Sequence, residues 1–243
     1  MSRTLLLGGI ALALPQVIYK VSQTHGYDAM TFSIRPVELL AVGVEISTNS
    51  AFYLGDGHLK TTLTSNGGDS ATFKFSIEND STAEPVSENC SLVDSGSAVC
   101  ELTSVPLVVG TENVISFTKS DGPDVGYVTW EGLFGTTSVG KIRMKAGLLS
   151  KGDLSSYTSV SSEYSPTKGY SPATRPCLPR THFYVQAPLM RQRDEQTTAT
   201  AEAGTPIGTG LGVDRCSVKS LAPNAQVTVG HDTAEFFYGF LTN

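Results

Sequence analysis

Hydrophobic residues recur along this chain in short runs, not at helical spacing. In Ala71-Thr-Phe-Lys-Phe-Ser-Ile77 the apolar positions alternate, which places Phe73, Phe75 and Ile77 on one face. A period of two marks a half-buried strand, because successive side chains leave the backbone on opposite sides. Val105 to Val109, Val114 to Thr118 and Val125 to Trp130 read in the same way. Val37 to Ile46 is apolar enough for a core strand, or alternatively for a short helix. Asn66-Gly67-Gly68, Asp94-Ser95-Gly96 and Asp121-Gly122-Pro123 are turn sequences between such runs. No amphipathic stretch longer than about ten residues stands out, and strands do not alternate with helices. The pattern predicts an all-β fold, an Ig-like β-sandwich over residues 21–149.

Beyond that point the pattern fades. Ser150 to Pro172 holds eight serines, three tyrosines and two prolines, and Thr197 to Gly212 is mostly Thr, Ala and Gly. Such stretches bury too little apolar surface to offset the cost of ordering their backbone. Residues 150–212 therefore read as a largely disordered Ser/Thr-rich linker or stalk. Thr181 to Ala187 is an island of possible order. Residues 213–243 form a C-terminal tail whose Phe236, Phe237, Tyr238 and Phe240 could close the sheet as a last strand or stay exposed. A second explanation of the shift is a misread frame after Gly140-Lys141-Ile142, residues that an intron donor sequence can encode.

The N-terminus reads as a secretory signal over residues 1–20. Arg3 supplies a positive charge, Leu5 to Leu14 a ten-residue apolar run, and Pro15 a break. A bilayer span needs about 20 apolar residues, so the run is too short to cross. A buried N-terminal helix is the alternative. Val17-Ile18-Tyr19 lacks the small residues that signal peptidase requires, which leaves the cleavage site open. No later stretch is long and apolar enough to predict a transmembrane helix in the mature chain.

Composition strengthens the extracellular reading. The chain has 27 Ser, 27 Thr and 24 Gly in 243 residues, while charged residues are only 16%. About 25% is usual for globular domains, so the polar surface is built from hydroxyls. The net charge is −6 without a basic cluster, which argues against nucleic-acid binding. Cys90, Cys100, Cys177 and Cys216 form an even set that suits an oxidising compartment. Four cysteines allow three pairings. The loop-like Ser91 to Ala98 favours Cys90–Cys100, which leaves Cys177–Cys216. No C-x2-C spacing suggests a zinc site, and neither a metal nor another cofactor is expected. Asn79-Asp80-Ser81 and Asn89-Cys90-Ser91 are N-glycosylation sequons at Asn79 and Asn89.

Catalytic motifs are sparse. Asp94-Ser95-Gly96 resembles the Asp-Ser/Thr-Gly signature of aspartic proteases, in which two aspartates share a proton. Here it occurs once, between two cysteines, so a disulfide-closed turn is the competing reading. Gly55-Asp56-Gly57-His58 and Gly230-His231-Asp232 each pair an acid with a histidine but lack a spaced third partner. No G-x-S-x-G elbow or HExxH motif is present. Gly208-Thr-Gly210-Leu-Gly212 does not meet the dinucleotide fingerprint and reads as a flexible segment. Trp130 with Tyr127 and Glu131 could form a sugar-stacking platform, although a lone Trp more often anchors a core.

The apolar leader, the Cys90-SLVDSGSAV-Cys100 pair and the Ser/Thr-rich stretch together resemble secreted or cell-surface proteins of filamentous fungi. The resemblance covers residues 1–16 and 85–165. It implies an extracellular, wall-associated protein and no catalytic residues. This chain departs from it in lacking a hydrophobic C-terminal anchor sequence. The expected function is a structural or interaction protein without catalysis, with cell-wall polysaccharide or a surface protein as partner. A carbohydrate-binding module using Trp130 and Tyr127 is the first alternative, and a secreted hydrolase using Asp94 the second.

Overall fold

The computed structural model describes residues 15–21, 26–55, 57–94, 96–122, 124–147, 151–164, 177–192, 198–200, 202–203 and 224–240. Every regular element among them is a strand. In chain order they are β1 (Gln16–Lys20), β2 (Ala29–Pro36), β3 (Val44–Phe52), β4 (His58–Gly67), β5 (Ser70–Glu78) and β6 (Glu84–Pro85). There follow β7 (Cys90–Asp94), β8 (Ser97–Pro106), β9 (Asn113–Asp121), β10 (Tyr127–Phe134), β11 (Thr137–Lys145) and β12 (Leu154–Tyr164). The last six are β13 (Thr181–Gln186), β14 (Leu189–Arg191), β15 (Thr198–Thr200), β16 (Glu202–Ala203), β17 (Ala225–Val229) and β18 (Thr233–Tyr238).

Two antiparallel sheets face each other. One runs β16-β1-β12-β3-β4-β5-β8-β7, and the other β17-β18-β13-β2-β9-β10-β11-β6 with β14 and β15 attached beside β2. The all-β sandwich predicted from the turns is what the chain forms. At eight and ten strands it is larger than the roughly seven to nine of immunoglobulin domains. The alternating strand Ser70–Glu78 sends Phe73, Phe75 and Ile77 inward as expected. Inner side chains of both sheets merge into one apolar cluster.

The expected division at residue 150 does not appear. β12, inside the anticipated stalk, is an interior strand between β1 and β3, and β13 lies between β18 and β2. These strands join residues on both sides of Gly140–Ile142 in one fold. The C-terminal aromatic run supplies β18, with Phe236 and Tyr238 buried and Phe237 facing outward. The anticipated leader boundary at residue 20 also shifts. β1 pairs with β12 from Gln16↔Ser161 to Lys20↔Tyr157, and Val17 and Tyr19 are fully buried. Each such side chain contributes about 1.5–3 kcal/mol, so β1 belongs to the folded unit. The segments 165–176 and 204–223, both within the anticipated stalk and tail, lie outside the described residues.

Close packing is visible where β10 and β11 cross under the disulfide. Gly132 is paired with Gly140. A Cβ at Gly140 would lie 2.4 Å from Cys90 Sγ and 2.8 Å from Cys100 Sγ, and φ there is 144°. Only glycine permits this approach.

Part of the interior is polar. Thr48 and Thr61 hydroxyls meet at 2.7 Å, and those of Ser50 and Thr158 at 2.8 Å. Both Ser50 and Thr158 also reach the Met30 thioether. Buried hydroxyls that satisfy one another avoid the desolvation cost of an orphaned group.

Candidate functional site

The outer face of the eight-stranded sheet carries the least expected arrangement of charge. On β12, Ser159, Ser161 and Glu163 point outward; on β3, Glu45, Ser47 and Asn49 do. The register places Glu163 directly opposite Glu45, and Thr64 of β4 next in the same row. Directly opposed side chains on antiparallel strands have Cβ atoms about 4.5–5.5 Å apart. Two carboxyls at that spacing repel when both are ionised, so a structural surface gains nothing from them.

The pair is held by its neighbours. The Ser47 hydroxyl donates to Glu45 Oε1 at 3.1 Å. Beneath it the Ser162 hydroxyl donates to the Glu45 backbone carbonyl at 3.0 Å and meets the Tyr238 hydroxyl at 2.7 Å. That contact ties the site to the opposite sheet. Burial pushes the Glu163 carboxyl above the usual carboxylate range, the Glu45 charge pushes it further, and Lys60 partly offsets both. Among the described residues neither glutamate has a cation at salt-bridge distance. One row away, β1 contributes Gln16 opposite Ser161, and Ser161 in turn faces Ser47. Across β12, β3 and β4 the face is therefore lined by Ser, Thr and Asn around two acids, with Lys60 opposite Asn49.

A second polar cluster lies on the outer face of the ten-stranded sheet. His182 Nε2 is 2.6 Å from Glu235 Oε1, and the Tyr184 hydroxyl donates to the same oxygen at 3.0 Å. The Arg35 guanidinium stacks 4.9 Å above the Tyr184 ring. The hydrogen bond to Glu235 raises the Tyr184 phenol above its ordinary range, with desolvation and the Glu235 charge adding to it and Arg35 opposing. Every charge in this cluster has a partner. A cleft of about 570 Å³ opens at the β8–β9 end of the sandwich, with Thr103, Glu112, Asn113 and Phe134 in its wall. None of its lining residues belongs to either cluster. No group of three or more His, Cys, Asp and Glu converges among the described residues.

The residues singled out in the sequence fall elsewhere. Trp130 is fully buried, packs 6.1 Å from Phe52 and donates its indole N–H to the Gly152 carbonyl. Tyr127 and Glu131 occupy alternate positions of the same strand and face the other way, so the three form no common platform. Tyr127 lies beneath Arg143, and Glu131 pairs with Lys141. Asp94 accepts the Gly96 N–H at 2.8 Å in the β7–β8 turn. His58 begins β4, while His231 and Asp232 are exposed in the turn before β18. Asp56 and the Gly208–Gly212 segment lie outside the described residues.

Cys90 and Cys100 form a disulfide between directly paired positions of β7 and β8. Cys177 is also disulfide-bonded, and Cys216 lies outside the described residues. Asn79 is exposed in the turn after β5. The Asn89 side-chain amide donates to the Val139 carbonyl.

Sequence reading missed both glutamates. Glu45 and Glu163 belong to no motif and are far apart in the chain. Only the β3–β12 register brings them together.

No known protein family and no curated protein matches this chain. Among solved structures it is similar to Scytalido-glutamic peptidase bound to a peptide-based transition-state analogue. The TM-score is 0.44 at 11% identity, over 95% of this chain and 100% of that one. It is also similar to SCP-B, a member of the eqolisin family of peptidases, in complex with the tripeptide Ala-Ile-His. There the TM-score is 0.43 at 10% identity, with the same coverage of both chains. At these scores the likeness assigns no activity to this chain. The similar structures are peptidases, which runs against the expected non-catalytic surface protein; the carbohydrate platform fails on the burial of Trp130, and Asp94 is engaged in the β7–β8 turn.

Proposed function

We propose that this protein is an extracellular, acid-acting hydrolase of peptide bonds, with Glu163 and Glu45 as its acid–base pair. The observation that carries the reading is their direct cross-strand opposition on an open, hydroxyl-rich face, with Glu163 shifted toward its protonated form. Perturbed carboxyl pairs concentrate at catalytic sites, because one environment then supplies both an acid and a base.

In the singly protonated pair, the ionised carboxylate accepts a proton from a water molecule as its oxygen adds to the amide carbonyl carbon. The protonated carboxyl then gives its proton to the amide nitrogen as the C–N bond breaks. The products are a carboxylic acid and an amine, and the pair is left with one proton, its roles exchanged. The Ser, Thr and Asn side chains around the pair offer donors and acceptors to an extended backbone laid across β12, β3 and β4. Gln16 offers a neutral amide donor beside it. The Cys90–Cys100 bridge suits an oxidising location.

The test is incubation of the purified protein with an unfolded protein substrate between acidic and neutral pH, with products identified by mass spectrometry. Cleavage at acidic pH that falls about 100-fold or more in Glu163→Gln supports the reading. No cleavage at any pH, or cleavage unchanged in Glu163→Gln, would overturn it.

A further inference from the structure

The strand that ends the eight-stranded sheet is open on its outer side. Among the described residues β7 pairs only with β8. Ser91 to Asp94 are all exposed, Leu92 at 60% and Val93 at 65%. An edge of this kind invites pairing with another chain, and proteins blunt such edges with proline, charge or cover. On the other sheet the edge strand β6 is blunted in this way: it carries Pro85, and its Glu84 is held by Arg143. β7 has no proline and no lysine, and its one charge, Asp94, accepts the Gly96 N–H at 2.8 Å. The remaining device is cover.

A glycosylation sequon lies at the same end of the sheet. The Asp80 N–H donates to the Gly96 carbonyl at 2.9 Å, which joins the turn after β5 to the β7–β8 turn. Asn79 precedes Asp80 and is exposed, with φ of 58°, a left-handed conformation that Asn and Asp adopt more readily than other side-chain-bearing residues. Its side chain makes no hydrogen bond among the described residues, and Ser81 is also exposed. From Glu78 the register runs through Ser97 of β8 to Asp94 of β7. Neighbouring strands lie about 4.8 Å apart, so about 10 Å separates this end of β5 from β7. A few linked sugars cover that distance.

The second sequon is placed differently. The Asn89 amide nitrogen donates to the Val139 carbonyl on β11, and the Asn89 backbone carbonyl accepts the Glu101 N–H at 3.1 Å. Cys90 beside it closes the disulfide. A sugar on that nitrogen competes with the contact and with the neighbouring bond.

We propose that Asn79 carries an N-linked glycan, that Asn89 does not, and that the glycan covers the open β7 edge with Leu92 and Val93. The donor is an oligosaccharide on a lipid-linked pyrophosphate, met on the secretory route. The Asn79 amide nitrogen bonds to C1 of the first sugar as the bond from C1 to the pyrophosphate oxygen breaks. The lipid pyrophosphate leaves with the bonding electrons, and the amide releases one proton. The assignment does not depend on the proposed hydrolysis, since its readouts are a mass and self-association.

The full chain is secreted from a eukaryotic host, and its intact mass is measured before and after enzymatic removal of N-glycans. One glycan is expected, absent in Asn79→Asp and in Ser81→Ala and present in Ser91→Ala. Aspartate is used at position 79 because it too tolerates the left-handed backbone. No glycan, or one that survives Ser81→Ala, overturns the site. Self-association is then followed by sedimentation. The Ser81→Ala chain should associate at a concentration about tenfold or more below that of the glycosylated chain, and Val93→Lys added to it should reverse this. Equal association with and without the glycan, or association that Val93→Lys leaves unchanged, overturns the cover. Circular dichroism of each variant checks that the sandwich is intact.

Discussion

The two outer faces of the sandwich handle acidic residues in opposite ways. On the ten-stranded sheet Glu235 receives His182 and Tyr184, Arg143 joins Glu84 and Asp124, and Lys141 meets Glu131. On the eight-stranded sheet Lys60–Glu78 and Lys74–Glu101 follow the same rule, but Glu45 and Glu163 face each other. Where charge serves only to hold strands together, it is neutralised locally. On the proposed reading, the pair left opposed on the surface is where a proton is kept available.

This contrast can be broken by mutation. The largest expected effect is on activity: Glu45→Gln should slow peptide cleavage about 100-fold or more, whereas Glu235→Gln should leave it within roughly threefold of wild type. Rates on one unfolded substrate at acidic pH decide between them. Loss of activity in Glu235→Gln, with folding intact, would mean that the wrong face has been assigned.

The next effect is on stability, and it should fall on the other face. His182→Ala should cost about 1 kcal/mol, because Glu235 loses a partner and Phe237 an edge contact. Thermal unfolding of His182→Ala, Glu235→Gln and the double variant should show coupling between the two residues. Strict additivity would show that they act independently.

Smaller effects sharpen the account of Glu163. Its folded carboxyl holds a proton more tightly than the unfolded chain does. The native state is therefore favoured below the unfolded titration range, and that advantage is lost as pH rises through the folded one. Wild type should lose stability relative to Glu163→Gln over this window, by at most about 0.5 kcal/mol because Glu163 is exposed to solvent. Smallest of all, Lys60→Met should raise the Glu163 titration by a few tenths of a pH unit, measured by carbon-13 NMR.

How much of this could be read from the sequence follows from what each strand buries. β5 and β10 were legible because Phe73, Phe75 and Ile77, or Val128 and Trp130, alternate with polar residues. β12 was not. Its inward positions include Thr158 and Ser162, whose partners are Ser50, Met30 and Tyr238. A strand that packs hydroxyls against hydroxyls has no hydrophobic period and looks like a stalk. β1 was hidden for another reason: its buried Val17 and Tyr19 follow directly on the apolar Leu5–Leu14 run. The Glu45–Glu163 pair was beyond sequence reading, because it exists only through the pairing of two strands, one of which was illegible.

The central claim is that Glu45 and Glu163 work together on one proton, and the most direct test is the pH dependence of cleavage in wild type beside Glu45→Gln. The account predicts wild-type activity at acidic pH that declines as Glu163 ionises, and little activity in Glu45→Gln at any pH. A wild-type rate independent of pH, or a Glu45→Gln profile that overlays it, would contradict the claim.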